Sequence, residues 1–277
     1  MRARWFGVVA LAVALPAFPA PTAAAAEAPD GPIVAQIVGG GDVDVSTAPW
    51  IVALVWAGGG NGASLRCGGT RVAPEWVLTA AHCVNGHAPA DFDVVGGVTD
   101  LRTVTAEDRE HISQTFVHPA YDAGDNTSDV ALLRLAVPDD AAPALALNAD
   151  PATPARGEAL DTYGWGRLST NGQSSAVLQG VVLQEMTDDS GNCGAFGNRY
   201  IPAHHVCAGV PGGGRDACYG DSGGPLVASA PDAPVLVGVT SWGQECALAD
   251  YPGVWARVST YTNWITTTMT TPPPPVR

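Results

Sequence analysis

The chain contains no lysine. Its 13 basic residues are all arginine and stand against 27 acidic ones, a formal net charge of −14. A surface so poor in cations repels phosphate backbones and anionic headgroups. It argues against nucleic acid and membrane surfaces as partners, and it attracts cationic substrates at low salt. Long apolar runs are missing too. The stretch from Phe6 to Leu15 is broken by Pro16, well short of the about 20 residues that a membrane-spanning helix needs. No CxxC or HxxxH spacing occurs, which argues against a zinc site among the cysteines. Neither a metal nor a cofactor is expected. There is no evident internal repeat, and no long stretch with a helical period appears before Val258.

What is present has the texture of an exported β-protein. Arg2 and Arg4, the apolar core Phe6–Leu15 and the small residues up to Ala26 read as an export signal over residues 1–26. Residues 27–36 form a Pro-containing spacer and read as a propeptide. A single domain is expected over 37–270, followed by a Pro-rich tail at 271–277 that cannot continue a helix. With 277 residues, 46% of them hydrophobic, the chain can bury a large core, in one all-β unit or two small domains. Short apolar runs such as Ile51–Trp56, Val130–Leu135 and Val235–Val239 alternate with Gly/Pro/Asn/Asp turns, as strands do. Over Val258–Met269, the positions Val258, Tyr261, Trp264 and Ile265 make one amphipathic helix. The six cysteines, Cys67, Cys83, Cys193, Cys207, Cys218 and Cys246, are an even number in an exported chain. That suggests three disulfides, with the connectivity left open.

Three residues stand out chemically. Ser222 lies in Gly220-Asp-Ser-Gly-Gly-Pro225, where glycines let amide N–H groups converge beside the hydroxyl; the plainer reading is a glycine-rich turn. A serine is a poor nucleophile unless a base takes its proton. His82 ends the run Trp76-Val-Leu-Thr-Ala-Ala-His82 and is followed by Cys83, so an imidazole is expected at the rim of a core on a loop that a disulfide can pin. An arbitrary histidine is by default a surface or structural group. Asp129 opens the apolar run Val130–Leu135, where burial is costly unless an imidazole N–H or another donor satisfies it; a turn aspartate is the alternative.

Taken together, these stretches resemble the trypsin/chymotrypsin-like serine proteases and, within them, the trypsins, with a secreted bacterial member as the expectation. The resemblance covers residues 37–269. It rests on Ile37-Val-Gly-Gly40, Leu78-Thr-Ala-Ala-His-Cys83, Asp129-Val-Ala-Leu-Leu-Arg-Leu135, Gly164-Trp-Gly166, Gly220-Asp-Ser-Gly-Gly-Pro225, Ser241-Trp-Gly243 and Pro252-Gly-Val254 in order. It implies an all-β fold of two packed six-stranded antiparallel β-barrels with a C-terminal α-helix. In this family Ser222 would be the nucleophile, His82 the general base and acid, and Asp129 the group that orients His82. The amides of Gly220 and Ser222 would form the oxyanion hole. The family pairs Cys67 with Cys83, Cys193 with Cys207 and Cys218 with Cys246. It puts Asp216 at the floor of the specificity pocket beside Ala217, with Ser241, Trp242, Gly243 and Gly253 as walls, so a basic P1 residue is expected. A solvated acid beside Arg215 is the plainer reading of Asp216. Activation is expected to free the amino group of Ile37 to pair with Asp221.

The sequence departs from the trypsin pattern at Glu245 before Cys246, at Tyr219 beside the pocket, and at Gln36, where a self-activating precursor has Arg or Lys. The acidic run Glu107-Asp-Arg-Glu110 is a candidate calcium loop, with a solvated loop as the preferred reading. The expected partners are protein or peptide substrates and protein protease inhibitors, met by a secreted monomer. A catalytically silent relative and a structural β-protein are the competing classes. Both are disfavoured because His82, Asp129 and Ser222 are all kept.

Overall fold

Apolar β-branched runs set the framework. Ile51-Val-Ala-Leu-Val55 is buried on both faces of its strand, as expected where a sheet curls back on itself. A computed structural model of the chain describes residues 37–58, 62–186, 193–229 and 233–271. The expected export signal, the expected propeptide and residues 272–277 of the expected tail lie outside the described residues.

Six strands form the first barrel: β1 (Ile51–Trp56), β2 (Leu65–Ala73), β3 (Trp76–Thr79), β4 (Phe92–Gly96), β5 (Arg109–Val117) and β6 (Ala131–Leu135). They close in the order β1-β2-β3-β6-β5-β4, every neighbour antiparallel. Six more form the second: β7 (Ala159–Gly164), β8 (Gln179–Glu185), β9 (His205–Gly209), β10 (Pro225–Ser229), β11 (Pro234–Trp242) and β12 (Gly253–Arg257). Their order, β7-β8-β9-β12-β11-β10 and back to β7, repeats that of the first barrel. Closure leaves few unpaired edges. Two short strips, Gly41–Asp42 on β8 and Ala146–Leu147 on β11, are added outside the second ring.

The chain ends in a helix, Val258–Thr270, which buries Val258, Tyr261 and Ile265. These side chains join one apolar cluster with Leu78, Leu132 and Leu133 of the first barrel and Val239 and Ala256 of the second. Each fully buried Leu or Ile contributes roughly 1.5–3 kcal/mol, so the helix clamps both barrels. A second cluster fills the other barrel with Leu160, Leu183, Val206, Leu226 and Trp255, and it includes Ile37. Three disulfides join Cys67–Cys83, Cys193–Cys207 and Cys218–Cys246. They fit an extracellular protein. No helix among the described residues is long and apolar enough to cross a membrane.

Candidate active site

The apolar strand β3 ends at Thr79, whose hydroxyl donates to the Gly68 carbonyl at 2.7 Å. The chain then makes the one-turn helix α1 (Ala81–Val84), which carries His82. Cys83 ties that turn to Cys67 in β2, so the loop bearing the imidazole is fixed to the barrel wall. Asp129 lies just ahead of β6 and is fully buried. Its Oδ1 accepts from the His82 amide at 2.9 Å. Its Oδ2 lies 2.7 Å from His82 Nδ1 and accepts from the Ser241 hydroxyl at 2.5 Å. Three donors offset the cost of burying a carboxylate. An ionised carboxylate can only accept, so Nδ1 carries the ring proton and Nε2 is left with its lone pair free.

Ser222 sits in the loop before β10, half-buried and on the same cavity as His82. The loop's amides are divided sharply. Those of Asp221, Gly223 and Gly224 donate to the carbonyls of Cys218, Thr240 and Asp221. Among the described residues, the amides of Gly220 and Ser222 have no acceptor. Gly220 has φ +99°, a conformation open to glycine, and this leaves its N–H uncommitted beside that of Ser222. Gly223 (φ +83°) is equally constrained, because a Cβ there would strike the Thr79 hydroxyl and the Gly68 carbonyl. Two free, nearly adjacent N–H groups can receive a developing oxyanion.

A cavity of about 290 Å³ opens from Ser222 and His82 and is closed below by Asp216, Ala217, Trp255 and Gly253. Trp242 and Gly243 complete its wall. Ser241 lines it too, although its hydroxyl is committed to Asp129. A Cβ on Gly253 would collide with the Asp216 carboxylate and the Trp255 ring, so glycine keeps the floor open. Asp216 is 2% exposed. Its Oδ2 accepts from the Ala247 amide at 3.1 Å, while Oδ1 has no hydrogen-bond partner among the described residues. Burial pushes its carboxyl up to about 8, against the opposing pull of the Ala247 and Ala217 amides. This is a carboxylate short of a cation. Arg215, its chain neighbour, is exposed.

Asp221, beside the nucleophile, is buried as well. The amides of Gly166 and Cys218 hold its two oxygens at 2.7 and 2.9 Å. Burial still pushes it up to about 7, and it has no cationic partner among the described residues. Ile37 is fully buried. Glu245 and Tyr219 both stand exposed on the cavity rim. The run 107–110 does not converge on a common point: Asp108 accepts from Thr105, and Glu110 pairs with Arg71. Among the described residues, Cys67, His82 and Cys83 come close enough to suggest metal ligands, but both sulfurs are committed to a disulfide. Two features had no sequence signal: the Ser241 hydroxyl as the third donor to Asp129, and Trp255 beneath the cavity.

A paired acid and imidazole share a cleft between two closed barrels with a serine flanked by free amides, which is the architecture of a serine endopeptidase. The comparisons make this specific. The family model described as Trypsin matches residues 37–265, and the chain belongs to the trypsin family. It is 42% identical over 228 residues to a protein named trypsin from Saccharopolyspora erythraea, covering 81% of this chain and 94% of that one. It is 37% identical over 257 residues to an alkaline trypsin C of Manduca sexta, with 88% and 94% covered. A vitellin-degrading protease of Bombyx mori is 34% identical over 251 residues, with 87% and 89% covered.

Proposed function

We propose that the chain is exported as an inactive precursor, is cut between Gln36 and Ile37, and then hydrolyses peptide bonds after arginine and, less well, lysine. The observation that carries this reading is the half-satisfied Asp216 carboxylate at the foot of the cavity that opens from Ser222 and His82. A guanidinium on an extended side chain can fill that cavity and meet the carboxylate with paired N–H···O bonds. A lysine ammonium is shorter and needs a further acceptor. Ala217 offers no hydroxyl to serve as one.

In the proposed mechanism, Ser222 Oγ attacks the carbonyl carbon as His82 Nε2 takes its proton. The oxyanion receives the amides of Gly220 and Ser222; each such donor is worth roughly 2.7–4 kcal/mol. The tetrahedral species collapses, the amine leaves with the proton from His82, and Ser222 is left acylated. Water then attacks the ester with His82 again as base, releasing the acid and restoring the serine. Asp129 holds the tautomer and stabilises the imidazolium throughout.

Asp221 supports the activation step: it is buried with two amide donors and no cationic partner among the described residues. An ammonium freed at Ile37 would supply one and fix the loop that bears both oxyanion donors. Removing one member of such a buried pair costs about 3–5 kcal/mol, so Asp221→Asn should cripple activity in a protein that still folds. Because Gln36 is not basic, activation needs another protease. A precursor bearing Ser222→Ala should stay uncut at Gln36–Ile37 when mixed with the mature enzyme, and efficient cutting would refute that step. The substrates are proteins and peptides with a basic P1 residue, and protein inhibitors fit the same cleft of a secreted monomer. The deciding experiment maps cleavage of a mixed peptide library by the mature enzyme. Cuts after Arg, fewer after Lys, and labelling of Ser222 by a serine-specific titrant are expected. Equal cutting after aromatic residues would overturn the reading.

A further inference from the structure

We infer that the leaving-group side of the cleft is an anion-binding subsite, built by Arg66 and Arg167, which selects an acidic side chain at the second residue after the cut bond. The inference rests on the endopeptidase reading above. Gly220 lies against two segments: a Cβ on it would stand 3.3 Å from Leu65 Cδ2 and 3.1 Å from Gly166 Cα. The next residue of each segment is an arginine, so Arg66 and Arg167 border the corner where the leaving group departs. Neither lines the cavity that takes the P1 side chain.

Both guanidiniums are positioned yet unspent. Arg66 is half-buried, lies over the Trp56 ring at 5.6 Å, and donates from Nε to the Cys83 carbonyl at 3.3 Å and from Nη2 to the His82 carbonyl at 3.5 Å. Arg167 lies over the Tyr219 ring at 5.2 Å and donates from Nη1 to the Thr170 carbonyl at 3.2 Å. Its amide also donates to the Tyr219 carbonyl at 2.7 Å, which ties it to the nucleophile loop. An arginine has five N–H donors, so most remain unused on each. Neither has a carboxylate partner among the described residues, whereas Arg71, Arg102, Arg109 and Arg134 each have one. In a chain of net charge −14, two arginines without acidic partners on one border of the cleft are the reverse of what composition provides. The other end carries Asp216 at the cavity floor and Glu245 on its rim. The cleft is therefore polarised, with acids facing the acyl half of the substrate and cations facing the departing half. An extended substrate turns alternate side chains to the same side, so the second residue beyond the cut bond returns to the wall that P1 enters.

The test uses three quenched peptides with Arg before the cut bond and Asp, Asn or Lys two residues after it. We expect kcat/KM to fall in the order Asp, Asn, Lys, with Asp about three- to tenfold above Asn, as two partly exposed ion pairs allow. In about 1 M salt that ratio should shrink towards one, a measurement that needs no variant. In the double variant Arg66→Gln/Arg167→Gln the Asp/Asn ratio should fall within about twofold, and Arg66→Glu/Arg167→Glu should favour Lys. Because each ratio is taken within one protein, loss of overall activity in a variant does not confound it. Equal rates for the three peptides, or a wild-type preference for Lys, would overturn the subsite and leave the specificity for Arg intact. No cleavage of any of them by enzyme that still reacts with a serine titrant would overturn both.

Discussion

Asp129 and Asp216 are both buried aspartates on one cleft, and they are built for opposite ends. Asp129 has three donors within 2.9 Å, two from His82 and one from Ser241, so its hydrogen-bonding needs are met within the protein. Among the described residues Asp216 has one amide hydrogen-bonded to Oδ2 and no hydrogen-bond partner on Oδ1, and burial pushes it up to about 8. A fully partnered acid positions its neighbour, whereas a half-partnered acid on an open cavity waits for a ligand. Asp221 lies between the two, with an amide on each oxygen and no cationic partner among the described residues, as the proposed activation requires.

The contrast can be broken by substituting each acid in turn. Asp129→Asn should leave substrate binding nearly unchanged and lower kcat by about 10⁴-fold, a magnitude carried over from the best-known protease of this mechanism, because the amide favours the wrong tautomer of His82. Separate kcat and KM values on an Arg substrate check it. Asp216→Asn should cost about 10²- to 10³-fold in kcat/KM on Arg substrates, because a buried cation then lacks its counter-charge. Reaction of Ser222 with a small neutral titrant should continue, which separates the pocket from the chemistry. The mildest change is Ala217→Ser. It supplies the hydroxyl a lysine ammonium lacks and should narrow the Arg/Lys ratio of the wild type, expected at about tenfold, towards parity. An unchanged ratio would show that the floor beside Asp216 does not set it.

The sequence exposes local patterns more readily than the contacts between distant residues. The run Ile51–Trp56 reads as a strand from its β-branched composition and is one. The helix expected over Val258–Met269 runs Val258–Thr270, with Val258, Tyr261 and Ile265 inward, because its period is local. His82, Asp129 and Ser222 each sit in a short recognisable run, and the fold brings them to one cleft. What depends on chain closure stayed hidden. The Ser241–Asp129 bond joins residues 112 positions apart, and no property of Ser241 announces it. On its own residues Asp216 beside Arg215 reads as a solvated acid, and only the family resemblance puts it at a pocket floor. The chain instead leaves Arg215 outside and turns Asp216 into the cavity, which only a folded loop could decide.

If Asp216 is a carboxylate in want of a cation, a cationic ligand should bind it with a clear pH signature. The most direct measurement is the affinity of a small aromatic amidinium for the mature enzyme carrying Ser222→Ala, followed by calorimetry from pH 5 to 9. The folded pKa of Asp216 is raised, so its neutral form prevails below about 8, and a cation must first drive off that proton. Affinity should therefore rise by up to tenfold per pH unit and level off above about 8, with proton release on the acid side. In Asp216→Asn the binding should be weak and flat with pH. Tight binding that is independent of pH, or that survives in Asp216→Asn, would contradict the account.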